Sequence, residues 1–115
     1  MTNSPLSLGA ILYPGFEMLD LYGPLEMFSM IPTEQLTIHT VAEQSGPVPS
    51  AIGMAIGGPN TVADYSFDDA PHFDLLLLPG GFGTLPELEN PKLMDFLAER
   101  SRSAQITLSA VSYTH

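Results

Sequence analysis

The sequence predicts an α/β fold, a parallel sheet with flanking helices, and three segments carry most of this prediction. Leu75–Leu78 is apolar at four successive positions, as expected for a central parallel strand that is buried on both faces. Asn90-Pro91 places an N-cap residue before a proline at the first helical position, and the apolar stripe that follows predicts a helix to about Arg102. Ile106–Ser112 then predicts another strand. Strands that alternate with helices favour a parallel sheet.

The rest of the chain divides into one helix and several short extended segments. Alternation of polar and apolar residues indicates a half-exposed strand, whereas clustered prolines and glycines break the chain into turns. In chain order, the predicted elements are a buried strand over Leu6–Tyr13, a helix within Met18–Met30, an edge strand over Gln35–Val41, a small hairpin around Gly53 within Ser45–Asn60, an extended piece over Val62–Tyr65 and a strand over Phe73–Leu78.

The start of the first helix decides the environment of Asp20. Pro24 is compatible with a helix only near its first turn, because proline lacks the N–H that the helix interior needs. We therefore expect the helix to begin near Gly23 and Asp20 to lie in the turn between the first strand and the first helix.

Length and charge limit the classes of function. A chain of 115 residues forms at most one domain, and its 44% hydrophobic and 14% charged content is typical of a globular protein rather than a disordered one. The chain has 13 acidic and 3 basic residues, a formal net charge of −10. Because phosphate backbones and anionic lipids require a positive surface, we expect neither nucleic acid nor membrane as a partner of this segment.

The absence of cysteine excludes disulfides and thiolate metal sites within this sequence. Residues 1–5 carry no positively charged side chain, and the apolar stretch that follows is short. These features do not match a signal peptide or a membrane span, which needs about 20 apolar residues. We therefore expect a cytoplasmic location.

The glycine-rich loop after the leucine strand is the first candidate site. In open parallel sheets, ligands bind beyond the carboxyl ends of the strands. Gly80, Gly81 and Gly83 follow directly, and their N–H groups could form an oxyanion hole. Alternatively, the glycines serve a tight turn with positive backbone angles. The loop has neither G-x-G-x-x-G nor Gly-Lys-Ser/Thr, so we predict no phosphate-containing cofactor.

Asp20 is the second candidate. It lies between Leu19 and Leu21, and desolvation by such neighbours would favour the protonated carboxyl, which can exchange a proton with a substrate or water. Alternatively, Asp20 caps the following helix, and the two roles are compatible. Glu17 is a second nearby acid, which we interpret as a solvated loop residue rather than as a catalytic partner.

Other catalytic patterns are missing from the sequence. His39, His72 and His115 do not have the spacing of a zinc site, so we interpret them as ordinary histidines and predict no metal. The Gly-x-Ser-x-Gly motif of a serine nucleophile is also absent.

Two motifs together resemble a known family. Leu-Asp-Leu-Tyr-Gly-Pro at residues 19–24 follows the first strand, and Pro-Gly-Gly at residues 79–81 follows the leucine strand. This combination resembles the ThiJ/PfpI superfamily of class I glutamine-amidotransferase-like proteins, and within it the isocyanide hydratases. The resemblance spans essentially the whole chain.

The resemblance implies a flavodoxin-like parallel sheet, usually a homodimer, that acts on a small molecule without a cofactor. It also implies a reactive cysteine on a strained turn between a strand and a helix, where the helix N-terminus lowers the pKa of the thiol. The thiol would attack the isocyanide carbon, a carboxylate matching Asp20 would handle protons, and water would complete conversion to an N-formamide. Gly81 matches the family's oxyanion contact, with Gly80, Phe82 and Gly83 as expected substrate contacts.

The sequence departs from the family pattern at the nucleophile. Counting without gaps from Pro79 places Val111 at the cysteine position, and one inserted residue places Ser112 there. Ser112 is thus the third candidate catalytic residue, although a hydroxyl is a poor nucleophile without a nearby base. We expect a domain truncated at the nucleophile turn and catalytically silent by itself. The alternatives are a ligand-sensing domain of a transcription regulator and a non-catalytic relative kept for dimerisation.

Overall fold

The computed structural model of the chain describes residues 4–81 and 90–110. Its strands and helices alternate as the sequence predicts, which confirms the α/β class. The strands are β1 (Leu6–Ile11), β2 (Leu36–Ala42), β3 (Gly46–Ile52), β4 (Ala55–Ala63), β5 (Tyr65–Ser66), β6 (Leu75–Pro79) and β7 (Ile106–Ala110), and the helices are α1 (Met18–Phe28) and α2 (Pro91–Ser103).

Five of these strands form one sheet in the order β5-β2-β1-β6-β7. Every neighbouring pair in this sheet is parallel. β1 lies at its centre, and the adjacent β6 buries Leu76 and Leu77, which confirms the interior strand predicted from the run of leucines. Strands β3 and β4 form a separate antiparallel hairpin, as predicted around Gly53.

The two helices in the described part of the chain cover opposite faces of the sheet. Leu8 of β1 packs in one core cluster with Leu21 of α1, whereas Ile11 of β1 packs in the other cluster with Leu93 and Phe96 of α2. This division follows from the alternation of side chains along a strand. The crossovers β1-α1-β2 and β6-α2-β7 leave the sheet centre in opposite directions, so right-handed connections place their helices on opposite faces.

The first helix begins earlier than the sequence indicated. α1 starts at Met18 and contains Pro24, so the prediction of a start near Gly23 is wrong. Proline inside a helix costs about 3 kcal/mol. Burial of Leu21, with Met18 and Leu25 packed against the same core, offsets this cost. Tertiary packing thus overrides the local signal of the proline.

The extended segments differ from prediction in two details. β2 is not the outermost strand, because β5 pairs with its last two residues, Val41 and Ala42. The alternating pattern of β2 reflects the partial exposure of its side chains rather than a missing neighbour. The piece expected over residues 62–65 is divided between the end of β4 and the start of β5.

The second helix follows its sequence signals closely. The Asn90 side chain accepts a hydrogen bond from the Lys92 N–H at 3.1 Å, and Pro91 occupies the first turn. The helix ends at Ser103, and β7 follows at Ile106. None of the helices in the described part of the chain is long and apolar enough to cross a membrane.

Candidate functional site

The candidate site lies at the topological switch point of the sheet, where the strand order reverses. β1 and β6 are neighbours, but their crossovers diverge to opposite sides. In open α/β sheets, this arrangement leaves a crevice beyond the carboxyl ends of the two strands, where ligands bind. The segments that follow β1 and β6 are those the sequence singled out, the approach to Asp20 and the turn Gly80-Gly81.

Main-chain hydrogen bonds join these two segments. We call residues Leu12–Glu17 the site loop. The Glu17 N–H donates to the Gly80 carbonyl at 2.8 Å, and Phe16 pairs with Gly81 in an antiparallel bridge. The structure therefore brings together the start of α1 and the glycine turn, the segments that carry two of the predicted site residues, Asp20 and Gly81.

The site loop is also attached to β3. The Gly15 N–H donates to the Pro49 carbonyl at 2.9 Å, and the Ala51 N–H donates to the Phe16 carbonyl at 2.8 Å. Phe16 is fully buried, so its ring anchors the loop while its main chain contacts neighbours on both sides. The loop is consequently held between the hairpin and the glycine turn.

Gly81 cannot carry a side chain in this arrangement. Its φ is +154°, a conformation that other residues rarely adopt. A Cβ added there would lie 2.5 Å from the Gly15 carbonyl oxygen and 2.6 Å from the Glu17 nitrogen. Close approach of main chains thus explains Gly81, which favours the tight-turn interpretation, and an N–H that also contacts a ligand is compatible with the same geometry.

Asp20 lies within the first turn of α1, not in a preceding turn, because the helix begins at Met18. The N-cap position belongs to Glu17, so the capping role considered for Asp20 does not apply. Asp20 is half-buried. Of its two neighbours in sequence, Leu21 is fully buried and Leu19 is 74% exposed, because successive helical residues point about 100° apart. Leu19 therefore does not shield Asp20 from solvent, although the Oδ2 atom of the Asp20 carboxyl is buried.

Glu17 is the last residue of the site loop, in agreement with the predicted loop position, and it is half-buried. Its N–H contacts the glycine turn, and its backbone is extended, with φ −84° and ψ 122°. It makes no side-chain capping bond. The contact of Glu17 with the candidate site is thus through its main chain, which the sequence did not indicate.

Several predicted residues fall outside the described residues: Phe82, Gly83, Val111 and Ser112. The position of the end of β7 is nevertheless described. Ala110 of β7 pairs with Pro79 of β6, so β7 reaches the same edge of the sheet beside Gly80. The predictions for these four residues remain predictions.

The described histidines lie away from the crevice. His72 pairs with Asp74 at 3.2 Å at the amino ends of β1 and β6, and His39 packs edge-on against Tyr65. Within residues 4–81 and 90–110, no three His, Asp or Glu side chains are close enough together to hold a metal ion.

A pocket of about 240 Å³ lies on the other side of the site loop. Leu12, Tyr13 and Pro14 line it together with Glu43 and Asn90. The Asn90 Nδ2 donates to Glu43 Oε1 at 2.8 Å, which joins the start of α2 to the end of β2. Neither Asp20 nor Gly81 lines this pocket, so it is distinct from the candidate site.

Sequence reasoning missed two residues that shape the site. The Tyr13 hydroxyl donates to the Pro79 carbonyl at 2.6 Å in the protein interior, and Phe16 bridges two strands. The turn signal Pro14-Gly15 marks this loop in the sequence. No local pattern indicates that the Tyr13 side chain reaches β6, because this contact joins residues 66 positions apart.

Comparisons with known proteins identify the family of this chain. The model of the DJ-1/PfpI family matches residues 9–112. An isonitrile hydratase from Pseudomonas putida is 34% identical over 100 residues, which cover 87% of this chain and 40% of that protein. The chain thus spans about two fifths of the length of this relative.

Solved structures share the fold. A ThiJ/PfpI family protein from Pseudomonas syringae superposes with a TM-score of 0.81 at 28% identity, over 94% of this chain and 43% of that one. A protein described as a putative transcriptional regulator from Vibrio parahaemolyticus has a TM-score of 0.62 at 18% identity, over 90% of this chain and 55% of that one, and shares the fold alone. The family match, the relative and the parallel sheet agree, and the chain belongs to the DJ-1/PfpI family.

Proposed function

We propose that this chain is the N-terminal part of an isonitrile hydratase, an enzyme that adds water to an isocyanide (isonitrile) to give an N-formamide. The observation that carries the proposal is the 34% identity to an isonitrile hydratase over 100 residues. That stretch includes segments that meet at one edge of the sheet, the start of α1 with Asp20 and the turn with Gly81.

The geometry supports a division of roles in this reaction. Asp20 is half-buried in the first turn of α1, where a carboxyl can exchange a proton with a small molecule in the crevice. The Gly81 N–H stabilises negative charge that develops on the substrate, as an oxyanion contact does. Gly80, Phe82 and Gly83 complete the substrate contacts in this proposal.

The nucleophile is the missing component. The sequence contains no cysteine, and Val111 or Ser112 occupies the family's cysteine position. A serine hydroxyl needs an adjacent base to become reactive. We therefore propose that the 115-residue chain is catalytically silent by itself.

The test introduces a thiol at each of the two candidate positions. Val111→Cys and Ser112→Cys are incubated with tert-butyl isocyanide, and the covalent adduct is measured by intact mass. Addition of the sulfur and its proton across the isocyanide carbon gives a thioimidate whose mass increases by that of the isocyanide. We expect one of the two variants to form this adduct, and we expect the unaltered chain to form neither adduct nor N-formamide.

A second substitution shows whether Asp20 takes part. In the reactive cysteine variant, Asp20→Asn slows adduct formation by about 100-fold, because a positioned acid contributes a factor of that order. Glu17→Gln is the matched control and leaves the rate within about twofold, since the contact of Glu17 with the site is through its main chain. Equal rates of adduct formation with and without the Asp20 carboxyl would contradict its role in proton transfer. Production of N-formamide by the unaltered chain would contradict the proposal that this chain is catalytically silent.

A ligand-sensing domain is the second candidate function. It is favoured by the shared fold with a protein described as a putative transcriptional regulator, and a binding role does not require a thiol. The sequence encoded after residue 115 separates the two candidates. A Cys-x-Gly turn supports the hydratase, whereas a basic helical segment supports the regulator. The absence of both features would favour a non-catalytic relative that serves dimerisation.

A further inference from the structure

The pocket on the other side of the site loop has the composition of a small-molecule site. We call it the Glu43 pocket, because Glu43 carries the only carboxylate among the described residues that line it. Its volume of about 240 Å³ is below the range of about 300–1,000 Å³ that is typical of sites for drug-sized ligands, so a smaller molecule would fill it. Most of its lining is apolar, and includes Leu12, Tyr13, Val48, Pro49, Phe67 and Leu93. An apolar wall with few polar groups is usual for a ligand pocket.

The two oxygens of the Glu43 carboxylate have different partners. Oε1 accepts the hydrogen bond from Asn90 Nδ2 at 2.8 Å, which orients the carboxylate. Oε2 lies 3.8 Å from Lys92 Nζ, a distance longer than a hydrogen bond. The Lys92 side chain is 73% exposed, and exposed ion pairs contribute little to stability. Another cation can therefore replace the lysine beside Oε2.

A second pocket, of about 360 Å³, adjoins the Glu43 pocket and carries an excess of negative charge. The two pockets share three lining residues, Glu43, Gln44 and Phe67. The second pocket adds three further carboxylates, those of Asp68, Asp95 and Glu99. Lys92 provides the single ammonium group among its described lining residues. This charge, in a chain with a net charge of −10, attracts cations to the two pockets and repels anions.

The ring of Phe67 gives both pockets an aromatic surface. Phe67 stacks on Phe96, with the ring centroids 4.3 Å apart. The guanidinium carbon of Arg100 lies 4.9 Å from the centroid of the Phe96 ring. The aromatic pair thus already contacts one cation of the protein. The attraction between a cation and a ring face favours a second cation beside Phe67.

We propose that the Glu43 pocket binds a small organic ammonium ion. The apolar body of this ligand fills the pocket, and its ammonium group pairs with Glu43 Oε2 in place of Lys92. An ammonium group carries a positive charge and three N–H donors, which match a carboxylate acceptor. An inorganic cation would leave the apolar lining unfilled, and an anion would be repelled. The proposal does not depend on the reaction at the candidate site, because neither Asp20 nor Gly81 lines this pocket.

An amide NMR titration of the 115-residue chain with benzylammonium tests the proposal. Benzyl alcohol is the neutral ligand of similar shape, and benzoate is the negatively charged one. We expect saturable shifts at Tyr13, Glu43 and Leu93, which line the pocket. Benzyl alcohol should bind at least about tenfold more weakly, because it lacks the charged hydrogen bond, and benzoate should not bind. Shifts at Glu17 and Gly81 alone would place the ligand in the candidate site and overturn the proposal.

Two substitutions with opposite expected effects test the role of Glu43. Glu43→Gln keeps an acceptor for the Asn90 side chain but removes the charge, and should weaken benzylammonium binding about tenfold. Lys92→Gln removes the competing cation and should tighten it about threefold. Glu34→Gln is the matched control, because it removes the same charge from an exposed residue at the other end of β2. The control should change the affinity less than about twofold, since salt screens distant charges.

Each contrary result overturns the proposal. Benzyl alcohol that binds as tightly as benzylammonium would show that the pocket recognises apolar shape and not charge. Equal weakening by Glu34→Gln would show that net charge alone attracts the ligand, and weakening by Lys92→Gln would show that the lysine does not compete with it. Circular dichroism checks that each variant is folded. If Glu43→Gln does not fold, the comparison of the three ligands on the unaltered chain decides.

Discussion

β1 and β6 are linked by different groups at their amino ends and at their carboxyl ends. At the amino ends, the Asp74 carboxylate accepts hydrogen bonds from the Ser7 N–H at 2.8 Å and the Ser7 hydroxyl at 3.3 Å, and it pairs with His72. At the carboxyl ends, the joining groups are main-chain amides and carbonyls of the site loop and the glycine turn, with the Tyr13 hydroxyl in addition. Among the described residues, a side-chain carboxylate thus joins β1 to β6 at their amino ends, whereas main-chain groups and one tyrosine hydroxyl join the segments that follow their carboxyl ends.

This difference supports the proposal that the carboxyl edge binds the ligand. The Asp74 carboxylate stabilises the fold through these hydrogen bonds, and the same bonds lower its pKa. The hydrogen bond from the Ser7 N–H is the main cause that lowers this pKa below its ordinary value, partial burial opposes the shift, and His72 adds to it. At the carboxyl edge, main-chain groups and the Tyr13 hydroxyl join the segments that follow β1 and β6.

The largest effect is expected at the carboxyl edge, from Gly81→Ala. The added Cβ would overlap main-chain atoms of the site loop at 2.5–2.8 Å and would force a strained φ. We expect a loss of about 3 kcal/mol or more in the free energy of unfolding, measured in urea. Gly53→Ala is the matched control, because its φ is also positive, at +59°, but nothing lies within 4 Å of the added Cβ. A loss of only about 1–2 kcal/mol is expected for the control, and equal losses would refute the close approach at Gly81.

At the amino edge, Asp74→Asn should cost about 1–2 kcal/mol, because it replaces charge-assisted hydrogen bonds in a side chain that is 21% exposed. A carboxyl with a lowered folded pKa contributes stability above its unfolded value, near 3.8. That stability is lost as pH falls through the folded pKa. Unfolding measured between pH 2 and pH 6 should therefore show a shallower acid dependence in Asp74→Asn than in wild type.

Ser7→Ala is the control for this pH dependence. It removes the hydroxyl but keeps the N–H bond, which is the principal cause of the lowered pKa. Most of the wild-type acid dependence should persist in Ser7→Ala. If Ser7→Ala flattens the curve as fully as Asp74→Asn does, the hydroxyl is the dominant partner and the assignment is wrong.

A smaller effect is expected from Tyr13→Phe at the carboxyl edge. The substitution removes one buried hydrogen bond to the Pro79 carbonyl, for a loss of about 1 kcal/mol in the free energy of unfolding. Tyr22→Phe removes a hydroxyl that bonds to Thr61 on the exposed surface and should cost less than about 0.5 kcal/mol. Thermal unfolding of both variants checks this order. A larger loss of stability for Tyr22→Phe than for Tyr13→Phe would contradict the expectation that the buried hydrogen bond contributes more than the exposed one.

The smallest effect is expected from His72→Gln. The His72 side chain is 56% exposed, and exposed ion pairs contribute about 0–1 kcal/mol. We expect a change of less than about 0.5 kcal/mol at pH 7, measured in urea. A loss as large as that of Asp74→Asn would mean that the histidine, and not Ser7, holds the carboxylate.

Sequence patterns predicted the sheet and the second helix because those signals are local. The leucine run of β6 and the Asn90-Pro91 start of α2 are each specified by neighbouring residues. The start of α1 was mispredicted because burial of Leu21 offsets the proline, and burial depends on residues far along the chain. The glycine turn of the candidate site was evident in the sequence, whereas the bonds that the site loop makes to β3 and to the glycine turn join positions that only the fold brings together.

The central claim is that the carboxyl edge, and not the amino edge, receives a small ligand. Amide NMR spectra of the 115-residue chain titrated with tert-butyl isocyanide test this claim most directly, because each edge of the sheet has backbone N–H groups that report separately on it. The account predicts concentration-dependent shifts at Phe16, Glu17, Asp20 and Gly81 and unchanged signals at Ser7 and Asp74. Shifts confined to Ser7 and Asp74, or no shift at either edge, would contradict it.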